Sequence, residues 1–489
     1  MVYAYRAAPV NSWDPALEVD TGIVLGQVYE TLTRYDASTG DVGPNLATAW
    51  SSSADAKTWT FTLRQGVKFH DGTEFNAKAV KFSILRTKKM GVGMAYLWSG
   101  LESIDTPDSY TVVMKWKTAT PADLIASSCL GAFIYSPTAL KEHGDKWFAD
   151  GHEAGTGAYM LKSQTMGTEA VLERFDGYWG GWEGKHVDDA IVRNVSESAV
   201  RTQLIEGGDA QIVFPVSIDD IPSLKATPDV SIVVSPSFTN IAMDFNTKKG
   251  PTANRLVREA IQYAFPYDDA ITASVGGYGE RSTGPTPKGL WGYEEQSALG
   301  PPIATDLAKA RELLKEAGYP NGGFTLQLLI FSGDDETMQM AQLLKDSLSQ
   351  LNIDLNLRAL PSATLTAMTA SKNPPQNMSM FHWWPSYANP NDTYAALFYT
   401  QDPPVYNTSY YSNPQVDAMI DQANLLAATD RPAAAKLLAE TWKTVSADYP
   451  IDFIVDDQSV IAVSNSVHGF EGFNPAYTNE VRFYDCWLK

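Results

Sequence analysis

The chain has 489 residues, too many for one compact core, so two or three packed units are expected. Its 37 Lys and Arg against 57 Asp and Glu give a net charge of -20 with no basic run, which argues against nucleic-acid binding. With 44% hydrophobic and 19% charged residues the composition is globular, and no apolar stretch approaches the roughly 18–20 residues of a membrane span. The start, Met1 to Arg6, has neither a basic nor an apolar signal region; it reads as a mature domain whose signal peptide was removed, with Met1 as a start codon. Cys129 and Cys486 are the only cysteines and lack zinc-ligand spacing, which leaves both a bridge and two separately buried thiols open.

In chain order, residues 57–64 alternate bulky with small polar or charged side chains. This predicts a half-buried strand with Trp59, Phe61 and Leu63 on one face. The turn His70-Asp71-Gly72-Thr73 follows, and Asn76 stands as N-cap to an amphipathic helix that begins at Ala77. Gly155-Thr156-Gly157-Ala158-Tyr159 is a glycine-rich turn feeding a strand over 169–174, which ends at Tyr178-Trp179-Gly180-Gly181-Trp182. A helix is predicted over 198–206 and a short buried strand over 210–214. Residues 241–247 read as a strand that breaks at Gly250-Pro251, and the helix over 255–265 marks a change of unit. Thr305 is the predicted N-cap of a helix over 306–317 that stops at Gly318, with Leu307, Ala310, Leu314 and Ala317 as its buried stripe. A strand over 325–331, a helix over 336–351 and a strand over 354–360 continue an alternation that suits a mixed sheet with crossover helices. The fold class is α/β.

Enzymatic signatures are missing: there is no HExxH, GxSxG, Walker A loop or GxGxxG at a strand–helix junction. No enzyme, no catalytic residue and no cofactor are therefore expected. The six histidines (His70, His143, His152, His186, His382, His468) never fall three or four residues apart, so no metal site is assigned. The 13 tryptophans and 23 tyrosines suit a ligand pocket, although most are expected in the core. The run Phe381-His382-Trp383-Trp384-Pro385-Ser386-Tyr387-Ala388-Asn389-Pro390 joins adjacent indoles, polar groups and two loop-fixing prolines, and reads as a recognition loop.

Several runs resemble one known family, the peptide-, nickel- and oligosaccharide-binding proteins of ABC importers, family 5 of the extracytoplasmic solute-binding proteins. They are Val28-Tyr29-Glu30-Thr31-Leu32, Pro44-Asn45-Leu46-Ala47-Thr48-Ala49-Trp50, the stretch from Trp59 through Phe69-His70-Asp71-Gly72-Thr73, and Gly155-Thr156-Gly157-Ala158-Tyr159. Phe245-Asn246-Thr247, Val257-Arg258-Glu259-Ala260, the 308–314 run, Asn413-Pro414-Gln415-Val416-Asp417 and Val467-His468-Gly469-Phe470 follow in the family's order. The resemblance implies a two-lobed periplasmic-binding-protein clamp with mixed sheets. It implies a discontinuous first lobe (1–38, 153–247 and 461–489), an inserted small domain (39–152) and a second lobe (248–460) that carries the recognition loop. Chain crossings are expected near 246–251 and 463–467. It also implies a monomer in the periplasm or another extracytoplasmic space, membrane-associated if lipid-anchored, that passes its solute to ABC permease subunits. In peptide-binding members a tryptophan of the second-lobe loop is followed three positions later by an aspartate that pairs with the ligand's amino group. Trp383 and Ser386 occupy those positions here, and a serine cannot neutralise a buried ammonium. An uncharged, oligosaccharide-like ligand is thus expected, held by Trp383, Trp384, Ser386, Tyr387 and Asn389. A short peptide is the alternative, for which Asp392 would supply the charge; a hydrolase or transferase acting on such a ligand is the alternative of another class.

Overall fold

The period-two pattern at 57–64 becomes the strand Thr58–Leu63, with Trp59, Phe61 and Leu63 all buried on one side. The computed structural model describes residues 1–17, 22–369, 371, 374–477 and 479–489. They form two compact units: the first comprises Met1–Pro236, Ser386–Ala388 and Ser459–Lys489, the second Ser237–Pro385 and Asn389–Gln458.

In the first unit the larger sheet runs in the order Ile212–Phe214, Val2–Tyr5, Asp189–Asn194, Glu169–Arg174, Tyr159–Thr165. Val2–Tyr5 is parallel to both neighbours, and Ala462 and Val463 of a late strand pair antiparallel with Ile212–Phe214. A separate antiparallel sheet orders Ala47–Ser52, Thr58–Leu63, Thr111–Trp116 and Leu101–Asp108. The helix Ala77–Met90 starts as predicted, with the Asn76 side chain accepting from the Lys78 N–H at 2.9 Å, and ends at Gly91 with φ 67°. Cys129 and Cys486 are two buried cysteines that are not joined in a disulfide.

Three of the motifs noted in the sequence meet here. The buried Glu30 carboxylate accepts from the Thr156 hydroxyl at 2.9 Å, the Trp179 indole N–H at 2.8 Å and the Tyr178 hydroxyl at 3.2 Å. Burial pushes its pKa up, and these hydrogen bonds only partly offset that. His70 reaches the same region: its Nδ1 lies 2.7 Å from Glu153 Oε2 and its Nε2 2.9 Å from the Gly157 carbonyl. Gly155 and Gly157 are required by close approach. A Cβ would stand 1.8 Å from the Val28 carbonyl oxygen at Gly155, and 2.1 Å from the Gln27 oxygen at Gly157.

Burial lowers the His70 pKa, but the charge and hydrogen bond of Glu153 outweigh it and raise the pKa above the usual imidazole value. A histidine whose pKa rises on folding stabilises fully below its unfolded value of about 6.5 and loses that contribution as pH rises through the folded value. Urea midpoints should therefore fall as pH increases from the unfolded histidine range upward. In His70→Gln that part of the slope should vanish; an unchanged slope would exclude His70 as its source.

The second unit is a sheet between two helix layers. Its strands run Ile353–Leu360, Phe324–Phe331, Met378–Trp383, then the 237–245 part of Val230–Phe245 and the 451–458 part of Ile451–Ser464. Phe324–Phe331 is parallel to both Ile353–Leu360 and Met378–Trp383; the latter is antiparallel to residues 240–245. The helix Asp335–Ser349 makes the crossover between the two parallel strands, as the alternation predicted. One face of the sheet packs against Arg255–Ala264, Tyr267–Val275, Leu307–Glu316 and Asp335–Ser349 through Val257, Ile261, Leu314, Met340 and Leu344. The other packs against Pro390–Leu397, Pro414–Thr429 and Arg431–Ser446 through Tyr394, Leu397, Ile420 and Leu438.

Local readings differ from the structure in four respects. Asp306, not Thr305, caps Leu307–Glu316, accepting from Lys309 N–H at 2.9 Å, while the Thr305 hydroxyl donates to the Phe265 carbonyl at 2.6 Å. The buried stripe of that helix is Ala310, Leu313 and Leu314; Leu307 and Ala317 are only partly buried. The chain changes unit within continuous strands, at 236/237 and 458/459, rather than near 246–251 and 463–467. Gly250-Pro251 follows the end of a strand and opens a short turn inside the second unit. Ser386–Ala388 groups with the first unit, whereas the whole loop was expected in the second.

Candidate functional site

The strand Met378–Trp383 alternates between the two helix layers of the second unit. Met378 and Met380 enter the core shared with Asp335–Ser349, whereas Phe381 and Trp383 lie against the core shared with Pro390–Leu397. The last residues of the strand, His382 and Trp383, therefore serve opposite faces.

On the Trp383 face, its indole N–H donates to Thr393 Oγ1 at 3.0 Å, and its ring meets Tyr406 edge-on at 5.5 Å and 71°. The Asn389 side-chain oxygen accepts from the Asn391 N–H at 3.0 Å and caps Pro390–Leu397, with Pro390 in the first turn. Asn389 is 0% exposed, so this side chain is a structural cap. Asp392 stands partly buried in the first turn of the same helix, where a negative charge is favoured. Burial first, and then the Asp392 charge, raises the Tyr406 phenol above its usual pKa. Trp384 is 41% exposed, Tyr406 47% and Val405 60%.

Of the six residues singled out in the sequence, Trp383, Asn389 and Asp392 are thus gathered at one helix terminus, with Trp384 next along the chain. Ser386 and Tyr387 belong with the first unit, both partly buried. There the Ser386 carbonyl accepts from the Ser128 hydroxyl at 2.9 Å, and its own hydroxyl is hydrogen-bonded to the Tyr96 hydroxyl. Tyr406 was missed; the run Pro403-Pro404-Val405-Tyr406, aromatic and proline-stiffened like Trp384-Pro385, was the available signal.

On the opposite face, His382 Nε2 lies 3.3 Å from Asp334 Oδ2 and 3.7 Å from Glu336 Oε2. Asp334 caps the helix Asp335–Ser349, accepting from the Thr337 N–H at 3.1 Å. Asp457 completes the group: one ligand atom from each of Glu336, His382 and Asp457 lies within 4.8 Å of the other two. Burial lowers the His382 pKa, but Asp334, then Glu336 and Asp457, outweigh it and raise the pKa above the ordinary imidazole value. Positions 336, 382 and 457 are too far apart for spacing to reveal this cluster.

Residues 41–404 match the model of the bacterial extracellular solute-binding proteins, family 5 middle. The glutathione-binding protein GsiB of Pectobacterium atrosepticum is 31% identical over 432 residues, which is 87% of this chain and 82% of that one. The probable D,D-dipeptide-binding periplasmic protein DdpA of Escherichia coli is 30% identical over 487 residues, 97% of this chain and 92% of that one. Among solved structures, the ABC transporter-associated periplasmic binding protein DppA from Helicobacter pylori, in complex with the peptide STSA, aligns with a TM-score of 0.84 at 25% identity, covering 100% and 98% of the two chains. NikA from Brucella suis, in complex with Fe(III)-EDTA, gives a TM-score of 0.87 at 23% identity over the full length of both. The α/β fold is that of the periplasmic binding proteins, and no helix among the described residues is long and apolar enough to cross a membrane. On its family match, its relatives and its fold, the chain belongs to family 5 of the bacterial extracellular solute-binding proteins.

Proposed function

We propose that the chain is the extracytoplasmic solute-binding component of an ABC importer and that its solute is a short peptide or peptide-like molecule with a free amino group. The observation that carries the ligand class is Asp392, a partly buried carboxylate in the first turn of Pro390–Leu397, the turn whose Thr393 hydroxyl takes the Trp383 indole N–H at 3.0 Å. Asp392 would pair with the ligand's ammonium, and Trp384 and Tyr406 would cover its apolar part. The relatives support this reading: their names specify glutathione and a D,D-dipeptide, both carrying free amines, and describe binding rather than catalysis. They reverse the order of ligand classes drawn from Ser386, since peptide-type relatives favour the peptide over the oligosaccharide. In this reading the charge comes from Asp392 and need not come from position 386. Permease subunits are the partners, and residues 39–152, with a sheet and a capped helix of their own, form the small inserted domain.

Calorimetry and thermal shift against di- and tripeptides and glutathione test this. A true ligand at 100 times its Kd should add about 2.7 kcal/mol of stability. N-acetylation of the ligand, or Asp392→Asn, should each weaken binding at least about tenfold, since a charge-assisted contact of about 1.5–3 kcal/mol is lost. Tight binding of neutral oligosaccharides with indifference to every free-amine peptide would overturn the ligand class.

A further inference from the structure

We propose that Glu336, His382 and Asp457, with Asp334 beside them, form a binding site for a divalent cation of the zinc class. The three groups come from different elements of the second unit: a helix's first turn, the end of the strand Met378–Trp383, and the strand containing Asp457. Their ligand atoms nonetheless converge to within 4.8 Å of one another. The spacing is looser than a closed ion pair. Charge-assisted hydrogen bonds measure about 2.7–2.9 Å, whereas His382 Nε2 stands 3.3 Å from Asp334 and 3.7 Å from Glu336. Around a tetrahedral ion with bonds of about 2.0–2.2 Å, neighbouring ligand atoms sit about 3.3–3.6 Å apart. The His382 side therefore already has nearly the edge lengths of a coordination polyhedron.

The donor set gives the class of ion. Imidazole nitrogen with carboxylate oxygens suits zinc and its d-block neighbours, whereas magnesium and calcium prefer oxygen alone. Three carboxylates against one imidazole leave the pocket anionic, so a dication enters a complementary field. Two of the groups are held before any ion arrives. Asp334 is fixed by its cap to Thr337, and the Asp457 carboxylate accepts from the Gln458 N–H at 2.8 Å. Access is open: the side chains of Glu336 and His382 are 43% and 24% exposed.

The test uses the full chain, free of any affinity tag and stripped with chelator. Titration calorimetry with ZnCl2 in excess Mg2+, together with elemental analysis after gel filtration, should give one saturable zinc per chain. His382→Gln should abolish it; because that side chain is partly buried, Glu336→Gln, at a more exposed position, is the second variant. It should keep the wild-type circular dichroism and melting temperature while weakening zinc by at least about tenfold. No saturable uptake by the wild-type chain, or undiminished uptake by both variants, would overturn the site. Peptide binding measured in EDTA reports separately on the Asp392 reading, so either proposal can fail without the other.

Discussion

Gly155→Ala should cost the fold about 3 kcal/mol or more, at the upper end of what overpacking does. Its methyl would lie 1.8 Å from the Val28 carbonyl oxygen, 2.6 Å from that carbonyl carbon and 3.0 Å from the Tyr29 ring. Two of these neighbours are backbone and cannot swing aside. Relief requires moving the 28–30 stretch, and three hydrogen bonds depend on its place: Gly157 N–H to the Val28 carbonyl at 2.9 Å, Ile134 N–H to the Glu30 carbonyl at 2.9 Å, and Thr156 to Glu30. Gly72→Ala is the control. At φ 82° with nothing near its missing Cβ, it pays only for the left-handed backbone, about 1–2 kcal/mol. Urea denaturation of both variants reads the difference directly. A Gly155→Ala protein within about 0.5 kcal/mol of wild type would show that the Glu30 network does not hold this part of the fold.

The second large effect separates two adjacent tryptophans. Trp384→Ala should leave the ligand-free stability almost unchanged, because the side chain is 41% exposed, and should weaken the peptide ligand by about 2 kcal/mol, or about 30-fold. Trp383→Ala should instead cost about 3 kcal/mol of folding free energy. It deletes a ring packed against the Tyr394 and Leu397 core, its edge contact with Tyr406, and the donor to Thr393. Melting curves and calorimetry on both variants give four numbers. If Trp384→Ala bound every ligand as the wild type does, Trp384 would not be a ligand wall.

What could be read in the sequence was what short stretches decide for themselves. The strand Thr58–Leu63 and the helix start at Asn76 need only period and capping chemistry. The error at Thr305 shows the limit. Thr305 and Asp306 are both good caps, and the choice falls to the Phe265 carbonyl, 40 residues away, which takes the Thr305 hydroxyl. Asn389 is the converse: Asn followed by Pro is a helix-start signature, the same as Asn413-Pro414, and weighing it would have removed Asn389 from the candidate ligand contacts. The runs that carried the family resemblance turn out to brace one another around Glu30 and His70. Such residues report the fold and are silent on the solute, so inferring ligand charge from the single position 386 had little to stand on. The His382 cluster was out of reach, because three distant stretches converge only after the sheet of the second unit has formed.

The route of the chain between units sets an order of events during synthesis. Apart from Ser386–Ala388, the second unit is one uninterrupted stretch that ends at Gln458, so all of it has left the ribosome before the first unit can be finished. The first unit must wait for its last 31 residues, Ser459–Lys489. They bring Val463 to pair with Ile212, Tyr477 to hydrogen-bond the Tyr35 N–H at 2.6 Å, and Glu480 to close on Arg34 at 2.6 Å. Residues 1–236 thus wait for a much later stretch: they cannot complete their unit until Ser459–Lys489 has been synthesised.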